Sequence, residues 1–275
     1  MEGIKMSDYV AVIDVTKCVD CRSCVIQCKD EYALNDYPPY STGMPFRGQK
    51  WIRVEPLERG RFPKTKFDSI PILCMQCDNP PCRAAATGGA IYKRPDGIVI
   101  IDPVKSKGQK QIVDSCPYGV IFWNDEREIP QKCTFCVHRL EKGQIPRCMQ
   151  ACPADAIRIG ELPQIMKDAE RGDPVPLHPE YGTQNRVYYI GLPKTFIAGA
   201  LVDSKGECLE GADVTAKDTA TGAIVANTRS NLFGDFWLDG LDVKKTYEVA
   251  ITSAGKTKTV SVSLDTDTDL GDIQF

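Results

Sequence analysis

The chain has 275 residues, and 34 basic against 37 acidic side chains leave a formal charge of −3, so no global charge argues for a nucleic acid or an anionic membrane surface. The length suits one large domain or two modest ones. Two histidines in the whole sequence argue against a conventional hydrolytic site, and no apolar run approaches the ~18 residues of a bilayer-crossing helix. The outlier is cysteine: thirteen in all, of which every one but Cys208 lies between Cys18 and Cys152.

Taken in order, Met1 to Val10 shows no apolar core of signal-peptide length, no twin arginine and no small-residue cleavage site. This predicts a cytoplasmic chain whose thiols stay reduced and act as ligands, with export alongside a signal-bearing partner left open. Residues Tyr9 to Val15 alternate as a short strand that leads to Cys18-Val-Asp-Cys21-Arg-Ser-Cys24-Val-Ile-Gln-Cys28. This is the spacing with which bacterial ferredoxins hold cubane clusters: three close thiolates wrap one cluster and the fourth points to another. Such a run implies a partner, and Cys133-x2-Cys136-x11-Cys148-x3-Cys152-Pro153 supplies it.

Between the two runs, Lys29 to Leu73 carries six prolines and a strand-like Trp51-Ile-Arg-Val-Glu, and reads as a long excursion. Cys74-Met-Gln-Cys77-Asp-Asn-Pro-Pro-Cys82 follows, its paired prolines stiffening the loop. Ala90 to Arg94 and Gly97 to Asp102 predict a hairpin about Pro95-Asp96-Gly97. Cys116-Pro117-Tyr118-Gly119-Val120-Ile121 and Cys152-Pro153-Ala154-Asp155-Ala156-Ile157 form an internal repeat, each copy reading ligand, proline, turn, apolar strand.

From Glu161 to Lys194 the sequence suggests a short helix at Gln164 to Arg171 and then a linker rich in proline. Candidate strands beyond it are Thr195–Val202, Ala212–Lys217, Ala223–Thr228, Phe233–Leu238, Thr246–Thr252, Thr257–Ser263 and Leu270–Phe275, a rhythm that predicts an antiparallel sandwich or barrel. The expected organisation is thus a metal-binding domain over 1–160, a linker over 161–194 and an all-β domain over 195–275.

Paired C-x2-C sites also occur in zinc knuckles, which leaves a zinc-binding structural adaptor as the reading from outside redox chemistry. The C-x2-C-x2-C-x3-C run with Cys-Pro endings favours cubanes. Cys208 reads as a bystander thiol, and His138 as a packing or hydrogen-bonding neighbour of its cysteine set. Lys17, Lys29, Lys132, Arg139 and Arg147 flank cysteines, either to offset cluster charge or as solvated surface. Phe233, Phe236 and Trp237 read as core and interface. No nucleophile with a base and no phosphate-cradling glycine loop is evident.

The four cysteine sets, in this order and ending on Cys-x2-Cys-x11-Cys-x3-Cys-Pro, resemble the iron–sulfur subunit of the molybdopterin oxidoreductase family that includes dimethyl sulfoxide reductase, polysulfide reductase and nitrate reductase. The resemblance spans roughly Tyr9 to Glu161. It implies an α+β, double-ferredoxin-like domain in which the first and fourth sets, and the second and third, exchange their last ligands. Carried onto this chain, one cluster takes Cys18, Cys21, Cys24 and Cys152; a second takes Cys28, Cys133, Cys136 and Cys148; a third takes Cys74, Cys77, Cys82 and Cys116. The family's remaining ligand positions hold Ala86, Ser106, Gln109 and Ile112, and all belong to one cluster. The resemblance therefore implies three [4Fe–4S] clusters and a fourth site lost whole.

It further implies a non-catalytic electron-transfer subunit. Its partner would be a large catalytic subunit carrying a molybdenum or tungsten bis-pterin cofactor, joined as a heterodimer or a multiple of one. A respiratory subunit serving a quinone-linked membrane anchor is the alternative within the family. The carboxyl-terminal β-domain resembles the transthyretin-like regulatory domains attached to carboxypeptidases.

Overall fold

The computed structural model describes residues 8–169 and 172–275. The leader reading of Met1 to Val10 therefore falls mostly on residues 1–7, outside the described residues, and so do the last two positions of the helix expected at Gln164 to Arg171. The chain forms two compact units: residues through Pro56 with Ser69–Leu192, and Leu57–Asp68 with Pro193–Phe275.

The first unit opens with β1 (Tyr9–Asp14) and α1 (Ser23–Tyr32), followed by β2 (Ile52–Arg61) and β3 (Lys64–Leu73), whose distal residues 57–68 group with the second unit. Then come α2 (Pro81–Ala85), β4 (Ile91–Lys93), β5 (Val99–Ile101), α3 (Gln111–Asp114), β6 (Phe122–Asn124), β7 (Ile129–Gln131), α4 (Val137–Leu140) and α5 (Arg147–Gln150). The unit ends with β8 (Ile157–Glu161), α6 (Leu162–Ala169), β9 (Val175–Pro176) and β10 (Val187–Ile190).

Side chains of β1 point alternately to the two faces of its sheet, and both faces are apolar. Ala11 and Ile13 join Ile157, Ile159, Val187 and Tyr189 in the main core, whereas Val10 and Val12 pack with Ile165 of α6 on the other side. The sheet runs β8-β1-β10-β9, with β1 antiparallel to β8 and parallel to β10. Pairs β4–β5 and β6–β7 are short antiparallel ladders.

Of residues 161–194, expected as a linker, the described ones through Leu192 are instead part of this unit. Val187 pairs with Ala11 and Tyr189 with Ile13, both side chains are fully buried, and the Tyr189 hydroxyl donates to the Pro71 carbonyl at 2.9 Å. The alternation Val187-Tyr-Tyr-Ile190 carries this strand, but the prolines before it mask the signal.

In the second unit, β11 (Thr195–Val202), β12 (Asp213–Asp218), β13 (Ile224–Arg229), β14 (Asp235–Leu241), β15 (Lys245–Ser253), β16 (Lys256–Leu264) and β17 (Thr268–Gln274) lie within three residues, at every end, of the expected strands. They form the sheets β14-β11-β17 and β13-β12-β15-β16, antiparallel as expected except that β11 and β17 run parallel. Alternate residues of both sheets, among them Ile197, Leu201, Phe236 and Leu238 against Val214, Val249 and Ile251, share one core. Phe233, expected with the core aromatics, is exposed.

The boundary expected at 195 omits residues 57–68. Within this unit Arg59 bonds the Asp267 carboxylate at 3.1 Å, Lys64 pairs with Asp235, and Lys66 lies over the Phe196 ring. Gly60, at φ 82°, sits where a Cβ would run into the Lys64 carbonyl and the Phe196 ring, so this tight turn admits no side chain.

Phe236 is fully buried in the core of this unit. Phe236→Ala is expected to lower the stability of the second unit by about 3–5 kcal/mol, read by chemical denaturation, while leaving metal content unchanged. An unchanged denaturation midpoint would contradict the placement of this core.

Candidate metal centre

β1 delivers the chain to a short 3-10 turn at Val15–Lys17, closed by the Asp14 carboxylate, which accepts from the Thr16 amide at 3.1 Å. Asp20 and Arg22 then take positive φ, 52° and 57°, folding the loop back on itself, and Arg22 immediately precedes α1 without a side-chain capping bond. The result is a cavity lined by Cys18, Cys21, Cys24 and Cys152, floored by Pro71, Pro153 and Ile157. The Ala156 amide donates to the Cys152 sulfur at 3.3 Å.

Cys24 and Cys28 lie one turn apart on α1, a rise of ~6 Å, so one helix serves two neighbouring groups of thiols. The Cys28 thiol is fully enclosed and faces Cys133, Cys136 and Cys148. Helix α5, which carries Cys148, packs on α1. The Phe135 amide donates to the Cys133 sulfur at 3.4 Å, and the Tyr32 hydroxyl bonds the Cys136 sulfur as well as Thr134.

A second cavity is lined by Cys74, Cys77, Cys82 and Cys116 together with Lys132. Backbone amides of Tyr118 and Val120 bond the Cys116 sulfur, and Thr183 bonds the Cys77 sulfur. The three sets follow one another in space: Cys24 lies beside Cys28 and Cys148, and Cys133 lies beside Cys74.

The positions without cysteine are filled by protein. Ile112, fully buried, packs with Ile91, Val99, Ile101 and Ile121, with Ala86 against the same cluster. The Gln109 carboxamide accepts from the Thr87 amide at 2.8 Å and donates to the Lys105 carbonyl at 2.8 Å, tying two loops together. Ser106 is fully buried with its hydroxyl unpartnered.

Burial and mutual repulsion push the thiols up: Cys24, Cys77 and Cys133 to about 12, Cys82 to about 11, and Cys28 and Cys148 well above the ordinary thiol value. Only exposed Cys21, hydrogen-bonded by Ser23, is lowered among these. Gathering four such sulfurs in an apolar interior is tolerable as thiols, or as thiolates around a cationic group. Among the described residues no three His, Cys, Asp or Glu side chains converge as a single ion requires. The linings of the two cysteine-bearing cavities contain no carboxylate, which suits a polynuclear iron–sulfur group.

His138 takes no part in the thiol sets. Its Nε2 bonds the Glu31 carboxylate at 2.8 Å and its ring stacks on Tyr37. Glu31 is also held by Arg139 and Arg147, while Lys17 pairs with Asp14 and Lys29 donates to the Pro45 and Gln49 carbonyls. Cys208 is exposed in the second unit. Sequence reasoning missed Tyr32 and Thr183, because neither adjoins in sequence the cysteine it bonds.

A model of a 4Fe-4S dicluster domain matches residues 65–162, and a model of a carboxypeptidase regulatory-like domain matches residues 197–275. The chain is 42% identical to the pyrogallol hydroxytransferase small subunit of Pelobacter acidigallici, over 98% of this chain and 100% of that one. It is 34% identical to a subunit of the tetrathionate reductase of Salmonella typhimurium, over 71% of this chain and 77% of that one. It is 35% identical to a subunit of the sulfite dehydrogenase of Allochromatium vinosum, over 69% of this chain and 85% of that one. No helix among the described residues is long and apolar enough to cross a membrane.

Because the folded thiols ionise later than unfolded ones, their contribution to the stability of iron-free protein is fully present below about pH 8.5 and is lost as pH rises toward about 12. Denaturation of iron-free chain across that range should show a falling midpoint, with Cys21 the first thiol to alkylate. A midpoint independent of pH there would contradict the burial described.

Proposed function

We propose, because the chain belongs to the family of iron–sulfur electron-transfer subunits that includes the pyrogallol hydroxytransferase small subunit, that its clustered cysteines hold three [4Fe–4S] clusters. The first would be held by Cys18, Cys21, Cys24 and Cys152, the second by Cys28, Cys133, Cys136 and Cys148, the third by Cys74, Cys77, Cys82 and Cys116. Cavities lined by two of these sets, and the crowding of Cys28 against the other, support the assignment. The first unit reads as double-ferredoxin-like and the second as a β-sandwich.

Each bound cluster supplies one-electron redox chemistry. The chain's own work is to hold the thiolates, exclude water and order the three groups so that electrons pass by way of the middle set. The substrate would bind elsewhere, on a large catalytic subunit carrying a molybdenum or tungsten bis-pterin, in a heterodimer or a multiple of one. A cytoplasmic location suits thiols that must stay reduced.

Of the reactions open to the family, transfer of a hydroxyl between polyhydroxybenzenes, as in pyrogallol–phloroglucinol transhydroxylation, fits best. The observation that carries this is extent: similarity to the hydroxytransferase small subunit covers 98% of the chain, against 71% for the tetrathionate reductase relative. Such a transfer is redox-neutral overall, so the clusters would set the oxidation state of the catalytic metal rather than carry steady flux. Complex with intact clusters should turn over from both oxidised and prereduced preparations, whereas cluster-depleted complex should work only when prereduced. Equal activity of depleted complex from both states would discard this role, and quinol-dependent reduction of an oxyanion would point to a respiratory reductase.

Iron and acid-labile sulfide should each amount to about 12 per chain, and Cys116→Ser should remove about 4 of each while sparing the rest. Loss spread over all three sets would contradict the assignment of Cys116 to a single cluster.

A further inference from the structure

We propose that Lys132 is a positioning residue whose fixed positive charge, lodged between the second and third cysteine sets, raises the reduction potential of both groups bound there and leaves the first nearly untouched. The inference rests on the cluster assignment above and adds what sets the energies along the array.

Lys132 follows β7 and directly precedes Cys133, and only 2% of it is exposed. Its ammonium donates to the Val99 carbonyl at 2.5 Å and to the Cys133 carbonyl at 3.2 Å. The same side chain lines the cavity of Cys74, Cys77, Cys82 and Cys116, where it bonds the Cys74 sulfur. It therefore touches one residue of the second set and faces all four of the third.

Among the described residues no carboxylate pairs with it. Arg139 and Arg147 share Glu31 and Lys17 has Asp14, while Lys29, which also bonds only backbone carbonyls, is half-buried rather than enclosed. A buried ammonium without a counter-charge is costly and is retained only where its surroundings are anionic. The cysteines of the two sets provide that surrounding: the side chain lines the cavity of Cys74, Cys77, Cys82 and Cys116 and its ammonium bonds the Cys133 carbonyl.

The consequence is directional. A thiolate-bound cluster that accepts one electron becomes one unit more negative, and no bond forms or breaks. A cation at the cavity wall stabilises that reduced form in a weakly screened interior. The first set has no corresponding buried cation in its cavity, where Lys17 and Arg22 are both solvated and paired with Asp14 and Asp20. The charge thus favours electron residence on the second and third groups over the first.

The test uses the full chain in its complex, with Lys132→Gln, Lys132→Met and Lys132→Arg, and reads each cluster by redox titration followed by electron paramagnetic resonance. In the Gln and Met variants two of three midpoints should fall by about tenfold in the reduction equilibrium, or about 59 mV for one electron, with the third unmoved. The Arg variant should keep the wild-type values. Fully loaded neutral variants with all midpoints unmoved, or all three shifted alike, would overturn the proposal. So would loss of iron from both neutral variants while Arg loads fully, since the charge would then serve assembly. Wild-type complex with fewer than three clusters would instead fault the underlying assignment.

Discussion

The first unit is organised by the cost of placing sulfur anions in an interior that excludes water. Seven of its cysteines are core residues, packed among Trp51, Tyr32, Leu73 and Phe135. As free thiolates they would repel one another and lack solvation. As ligands of a cationic iron–sulfur core, the role proposed for them, they would become the cross-links around which short segments are fixed. That explains why the unit manages with helices as brief as α3, α4 and α5, which have little cooperative stability of their own. It also explains the strained backbone at Asp20, Arg22, Phe135 and Cys136, all at positive φ in ligand loops.

The absence of a fourth site, as the proposed assignment has it, bears on the same constraint. A set missing some of its thiolates could not complete a four-iron cluster, and its remaining cysteines would stay buried as neutral thiols. Here Ile112 extends an aliphatic cluster into the space, and the Gln109 carboxamide bonds two loops that a cluster would otherwise have tied. The cost that remains is visible at Ser106, whose buried hydroxyl has no partner. Cys116, at the edge of the same aliphatic cluster, faces the surviving set.

Much of this was legible in the sequence where the signal is local. Ligand spacing is a local property of a loop, and alternation is a local property of a strand, which is why the strands from Thr195 onward could be placed by eye. Pairing partners are not local. Strand β10 lies 176 positions from its parallel partner β1, measured from Val187 to Ala11, and its four residues follow a proline-rich stretch that reads as unstructured. The membership of residues 57–68 in the second unit depends on carboxylates at Asp235 and Asp267, which no nearby pattern announces. Lys132 was visible only as one of five basic neighbours of cysteine; its near-complete burial and its place against the Cys74 set distinguish it.

The most direct test of these ideas is anomalous diffraction at the iron edge from crystals of the intact complex. Three separate iron clusters should appear, the middle one between Cys28 and Cys133, with the first on the Cys24 side and the third on the Cys74 side. Iron beside Ala86, Gln109 and Ile112, or an empty space among Cys74, Cys77, Cys82 and Cys116, would contradict them.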